Sequence, residues 1–229
     1  MRGVKGIVIA GVLGMVVHGY SMGFDICGEL KNAYGPYDYY ADKDKLPIVE
    51  VNHFTPEVES LVRGKSDYLA GDIDYTLRAF PNHPRALFAM MRLTEREKTE
   101  RLAGAHFPAY CYFVRAVRFR PEDAMARMVY GIYLAKQKKS NEALEQLEIA
   151  VRHASENANL HYNLGLVFFD LGKYEEALHH AHIAYRLGFE LPGLRGKLEK
   201  AGKWQEPLPA KVRQESPVSG TSADESRGQ

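Results

Sequence analysis

The sequence predicts an all-α fold, a short solenoid of stacked antiparallel helix pairs with an irregular N-terminal segment and a C-terminal capping helix. Three observations predict it. Residues 124–157 and 158–191 can be written one beneath the other without a gap, a repeat of 34 residues. Within that repeat Tyr130-Gly131, Leu134, Ala143, Leu147 and Ala150 fall where Leu164-Gly165, Phe168, Ala177, Ala181 and Ala184 fall. Polar turns, Lys138-Lys139-Ser140-Asn141 and Leu171-Gly172-Lys173, divide each copy into two helix-length halves. A single helix pair cannot bury its apolar face alone, so stacked copies must share one core.

The first element, residues 1–23, reads as a secretory signal peptide. Arg2 and Lys5 make a basic start, residues 7–17 an apolar stretch, and Ser21-Met22-Gly23 a small-x-small cleavage site, so the mature chain is expected to begin near Phe24. The apolar stretch of about 11 residues falls short of the ~17 to 20 that cross a bilayer. No strong membrane anchor is therefore expected, and the expected location is the periplasm. An uncleaved signal holding the chain to the inner membrane is the alternative. Ile26 stands before Cys27, where a lipoprotein signal requires a small residue.

Residues 24–52 form an irregular Tyr-rich segment: Tyr34, Tyr37, Tyr39 and Tyr40 surround the turn-forming Gly35-Pro36, and residues 46–51 read as extended. Two readings stand, a cap packed on the helices or an exposed partner-binding patch. Helical repeats are expected over 53–191, about four pairs with the first degenerate. Thr55-Pro56 is a helix start, with Thr as cap and Pro at the first helical position. Ala79 and Pro84 keep the five-residue spacing of Ala116 and Pro121, and a first helix is expected from Leu87 to about Arg101. Residues 192–204 read as the capping helix, with Leu194 and Leu198 one turn apart, Gly202 as its stop and Trp204 folding back. Residues 205–229, rich in Pro, Ser, Gly and charge, read as disordered.

The two cysteines, Cys27 and Cys111, both follow the presumed signal, so an oxidising compartment would let them pair. A bridge closes a loop of roughly 85 residues, on the order of 4 kcal/mol in the chain-entropy description. The other reading is one buried small apolar residue and one incidental thiol.

The repeat resembles the tetratricopeptide repeat family, whose pattern sets a large residue beside Gly, an aromatic three further on, and small residues on the second helix. The resemblance implies a concave face lined by first-helix residues. Carried over, these are Met125, Met128, Ile132 and Ala135 from one copy and Asn159, Tyr162, Asn163, Leu166 and Phe169 from the next. Family members that grip a peptide's terminal carboxylate carry charged residues where this chain has Met125 and Met128. The implied function is reversible binding of a protein or peptide segment in that groove, in assembly of an envelope or secretion complex. Burying ~400 Å² of apolar surface there contributes on the order of 10 kcal/mol before ordering costs. Whether the groove takes an external ligand or is filled by residues 34–40 is left open.

The chemistry the chain lacks narrows its class. Thirty Lys and Arg against 29 Asp and Glu leave no basic footprint for nucleic acid. No nucleophile motif, zinc-protease signature, phosphate-binding loop or haem-attachment sequence occurs, so neither an enzyme nor a cofactor is expected. Of the nine histidines, His179 and His182 share a helix face and His180 points elsewhere; a solvated face is the expectation. The alternatives are a metal- or small-ligand-binding protein using His179, His182 and a third residue, or an accessory subunit of an enzyme encoded elsewhere. A monomer is expected, because the capping helix covers the open end of the stack.

Overall fold

Ten helices and no strand occur among residues 26–66 and 68–207, which the computed structural model describes. The predicted signal peptide, residues 1–23, and residues 208–229 of the predicted disordered tail lie outside the described residues. In chain order the helices are α1 (Leu46–His53), α2 (Pro56–Glu59), α3 (Leu69–Ala79), α4 (Pro84–Glu97), α5 (Ala109–Phe119), α6 (Ala124–Lys136), α7 (Ser140–His153), α8 (Ala158–Asp170), α9 (Tyr174–Arg186) and α10 (Gly193–Lys200). The all-α class and the helix-pair solenoid are as the sequence predicts.

The pairs α6–α7 and α8–α9 are the two clear repeats. Gly131 lets α6 meet α7 closely, since a Cβ there would lie 2.6 Å from Leu147 Cγ. The equivalent Gly165 faces Leu194 of α10, whose Cδ2 would lie 2.5 Å from an added Cβ. Absence of a side chain is what admits a branched neighbour at this depth. Phe113 of α5 stacks on Tyr133 of α6 with centroids 4.3 Å apart, which joins the clear repeats to the upstream ones.

Each junction from a second helix to the next first helix is built alike. Phe80 N–H donates to Thr76 C=O and His83 N–H to Phe80 C=O; Arg120 donates to Ala116 and Asp123 to Arg120; Ala154 donates to Ala150 and Asn157 to Ala154. Thr76, Ala116 and Ala150 are thus equivalent, as are the capping residues His83, Asp123 and Asn157. This corrects the register read from Ala79 and Pro84. The residue equivalent to Pro121 is Pro81, whereas Pro84 opens α4 itself. Proline suits both places, before a cap and in a first helical turn, so its spacing alone cannot choose between them.

The upstream pair α4–α5 departs from the repeat in the loop 98–108. Helix α4 ends at Glu97, not near Arg101, because Lys98 turns into the left-handed region at φ 51°. The loop then caps α5: Glu100 C=O accepts from Ala109 N–H at 2.8 Å, and Glu100 Oε2 from Tyr110 N–H at 3.1 Å. Glu100 Oε1 accepts the Tyr133 hydroxyl proton at 2.7 Å, tying this loop to α6. The opening pair is shorter still, since α2 has only four residues and Thr55, though at its N-cap, makes no side-chain cap hydrogen bond.

The N-terminal segment lies along α3 and α5. Cys27 and Cys111 form a disulfide. Arg115 of α5, 1 % exposed, donates through Nη1 to the carbonyls of Cys27 at 2.9 Å and Glu29 at 2.6 Å, and its guanidinium lies 4.6 Å above the Phe107 ring. Arg118 Nη2 donates to Gly28 C=O at 2.9 Å. Further on, Tyr37 N–H donates to Ala79 C=O at 2.8 Å and Tyr39 N–H to Asn82 Oδ1 at 3.0 Å. Tyr34, Tyr37 and Tyr39 pack half-buried beside Ala79 and Phe80, while Tyr40 is exposed. Residues 46–51, whose pattern reads as extended, are helical in α1. Its Pro47 sits in the first turn, where no intrahelical donor is lost, and Leu46 and Val49 are buried with Phe80.

At the other end α10 lies against α8 and α9 with Leu194 and Leu198 fully buried. Gly202 adopts φ +67°, Lys203 N–H returns to Leu198 C=O at 2.8 Å, and Trp204 meets His182 and Tyr185 edge-on. No helix among the described residues is long and apolar enough to cross a membrane.

Candidate functional site

The candidate site is the run of first helices, α4, α6 and α8. Asp123 caps α6 by accepting Met125 N–H at 2.9 Å and Ala126 N–H at 3.0 Å, and Asn157 caps α8 by accepting Asn159 N–H at 3.0 Å and Leu160 N–H at 3.2 Å. These shared caps give both helices the same rotation and so set which side chains face outward.

The residues carried over from the repeat pattern divide into three groups. Met125, Ile132, Ala135, Leu166 and Phe169 are half-buried and retain accessible apolar surface. Asn159 is exposed, and Asn163 Nδ2 donates to Asn159 C=O at 2.8 Å, so this amide is engaged within its own helix. Two residues do not fit an open groove. Met128 is 1 % exposed, beneath Asn163, whose Nδ2 lies 4.0 Å from its sulfur; it belongs to the core. Tyr162 is stacked on Phe189 with centroids 4.1 Å apart, and a Cβ at Gly193 would lie 2.6 Å from its hydroxyl. The turn leading into α10 therefore roofs Tyr162.

Residues 34–40 do not supply that roof. Asp38 and Tyr40, with Ala41, form one wall of a cleft of about 640 Å³ whose other walls are Asn82, Arg120, Asp123, Met125 and His153. Asp38 is ion-paired with Arg120 and accepts the amides of Tyr40 and Ala41. Burial, with Asp123, Tyr39 and Asp38 nearby, pushes the Tyr40 hydroxyl up to about 12.

The α4 residues of the same face escape a reading anchored on the 34-residue period. With His83 equivalent to Asp123, the positions of Met125, Met128, Ile132 and Ala135 are taken on α4 by Arg85, Phe88, Arg92 and Glu95. The signal for them is the match of Pro81-Asn82-His83-Pro84 to Pro121-Glu122-Asp123-Ala124. Arg85 is paired with Glu50 at 3.1 Å and Glu59 at 3.3 Å, and Glu95 with Lys136 of α6 at 2.6 Å. Arg92 is exposed, and no carboxylate among the described residues lies within 4 Å of it. Among the described residues the α4 end of the face thus offers one cation without a carboxylate partner, Arg92, and the face becomes apolar toward α8.

The histidines group otherwise than their sequence suggests. His182 Nε2 lies 2.8 Å from Gln205 C=O, and His179 is exposed. His180, expected to point elsewhere, turns inward, its Nδ1 2.9 Å from Nδ1 of His161. Burial, with His161 and His179 adjacent, lowers His180 to about 4. Among the described residues no three His, Cys, Asp or Glu side chains are grouped to hold a metal ion.

The caps, the small-residue contacts and the paired helices define a helical-repeat module of the kind that binds other proteins. Residues 131–188 match the tetratricopeptide repeat family, so the chain carries tetratricopeptide repeats. Among solved structures it is similar to MamA, at 18% identity and TM-score 0.43 over 59% of this chain and 78% of that one. It is also similar to the Sgt2 TPR domain from Aspergillus fumigatus, at 16% identity and TM-score 0.43 over 72% of this chain and 94% of that one. A comparison with curated proteins finds no match.

Proposed function

We propose that the chain is a non-enzymatic scaffold that holds a peptide or protein segment along the outward face of α4, α6 and α8. The observation that carries this reading is the polarity of that face: exposed Arg92, with no carboxylate within 4 Å among the described residues, at one end and partly exposed Ile132, Leu166 and Phe169 toward the other. A segment with apolar side chains at one end and a carboxylate at the other complements it, with burial giving affinity and the ion pair giving orientation. Export to the periplasm, or to another oxidising compartment, accords with the Cys27–Cys111 bridge, which a reducing cytosol would not maintain. Assembly of an envelope complex is the setting we favour.

The test is affinity capture from envelope extracts with the disulfide-intact chain beside two variants, Leu166→Ser/Phe169→Ser and Arg92→Glu, each checked by circular dichroism. A partner retained by the parent and lost from both folded variants supports the assignment. Equal retention by all three removes the first-helix face as the binding surface. Since Tyr162 is already covered by Phe189, Tyr162→Ser is expected to affect stability before capture.

A further inference from the structure

We propose that Nδ1 of His161 and Nδ1 of His180 together bind one divalent transition-metal ion that prefers nitrogen ligands in tetragonal geometry, Cu²⁺ foremost. His161, on α8, is 4 % exposed, and its Nε2–H donates to Ser155 C=O at 2.8 Å. That bond holds the ring proton on Nε2 and leaves the Nδ1 lone pair directed at α9. A backbone carbonyl on the far nitrogen is the usual partner that orients a metal-ligating imidazole. His180, on α9, is half-buried, lies parallel to the Phe168 ring at 5.4 Å, and brings its own Nδ1 within 2.9 Å of the first.

The ligand type selects the metal class. Imidazole nitrogens suit copper, nickel and zinc, and among divalent first-row ions a given nitrogen site holds Cu²⁺ most tightly. Without metal, His180 Nδ1–H donates to His161 Nδ1. On binding, His180 moves that proton to its Nε2 and rotates so that both lone pairs meet the ion; no net proton is released, and water fills the remaining positions. Neither His182, engaged by Gln205 C=O, nor exposed His179 is part of the site.

The experiment is calorimetric titration of the full chain, without an affinity tag, with CuCl₂ and separately ZnCl₂ in the presence of glycine as a weak competitor. The parent is expected to take up one Cu²⁺ tightly, with Zn²⁺ at least about tenfold weaker. Low-temperature electron paramagnetic resonance of the loaded parent should show coupling to imidazole nitrogens from two rings. His180→Phe, which keeps an aromatic ring on Phe168, should lose the tight Cu²⁺, and His179→Asn/His182→Asn should keep it. Tight binding that survives His180→Phe, binding lost in the His179/His182 variant, coupling to a single imidazole, or no Cu²⁺ uptake in competition with glycine would each overturn the assignment.

Discussion

Asn82 Nδ2 donates to Asp123 Oδ2 at 2.9 Å, so the amide before one first helix braces the carboxylate that caps the next. Asp123 Oδ1 accepts from Met125 and Ala126, and Asn82 Oδ1 accepts from Tyr39 N–H. One contact thereby links the N-terminal segment, the start of α4 and the start of α6. Asn82 is 1 % exposed, so whatever it loses cannot be replaced readily by water.

Asp123→Ala should therefore cost more than a cap. Losing an N-cap is worth about 1 kcal/mol, and leaving the buried Asn82 donor unpaired adds about 1 to 3 kcal/mol. Asn157→Ala removes a cap whose only other side-chain contact among the described residues is the weak one from Nδ2 to the Met125 sulfur at 3.9 Å, and it should cost about 1 kcal/mol. Urea denaturation of the two variants checks the difference; equal losses would deny the Asn82 contact any energetic role.

Replacing Cys27 and Cys111 by Ser opens a loop spanning 84 positions and should destabilise the chain by about 4 kcal/mol, with structural loss greatest near the bridge. Hydrogen exchange is the direct readout. The Tyr37 amide, bonded to Ala79 C=O, should exchange faster in the double variant, while the Lys139 amide, bonded to Leu134 C=O, should not change.

Stability should fall as pH drops below 7. Burial lowers the pKa of the fully buried His83, whose Nδ1 accepts Ala86 N–H and whose Nε2 faces Glu50 Oε1 at 3.2 Å. In the unfolded chain a histidine titrates near 6.5, so below about that pH the unfolded state takes up a proton that the folded state refuses. Glu50, held down by its His83 hydrogen bond, adds a contribution that is full above the unfolded value and lost as acid protonates it. Asp72 behaves likewise: burial raises it, but hydrogen bonds from His53 and the Ser66 and Lys65 amides prevail. Urea midpoints at pH 7, 6, 5 and 4 should decrease in order, and His83→Asn should flatten the fall between 7 and 5 more than the fall between 5 and 4.

Gly131→Ala sets a methyl against Leu147 between two packed helices and should destabilise the fold by about 1 to 3 kcal/mol. Gly165→Ala meets Leu194 on the terminal helix, which packs against α8 and α9 at the end of the stack. Its expected signature is local, a change in Trp204 fluorescence with little shift of the main unfolding transition.

The clear repeats were legible because their cues are local. A Gly beside a large residue, the Asp123 and Asn157 caps and the 34-residue interval each act within one or two helical turns. The upstream register was less legible, because Pro81 and Pro84 satisfy alternative places and the loop 98–108 breaks the interval. Helix α1 departs from its sequence pattern for a related reason: Pro47 with Ile48, Val49 and Val51 has strand-like composition, and burial of Leu46 and Val49 beside Phe80 favours the helix. Of the proposed face, Ile132, Leu166 and Phe169 are placed by their positions in the repeat, and the structure leaves each partly exposed. Arg85, Phe88 and Arg92 required the register that the junction hydrogen bonds supply.

By itself the sequence determined the all-α class, the pairing of helices and the existence of a first-helix face, because these follow from periodicity and capping over short stretches of chain. Only the tertiary structure decided that Met128 is core while Met125 lines a cleft, that Phe189 covers Tyr162, and that His180 meets His161 rather than solvent. Each of those outcomes depends on where a second helix or returning segment lies, and that placement comes from side-chain packing between residues far apart in the chain, which a helical period does not encode.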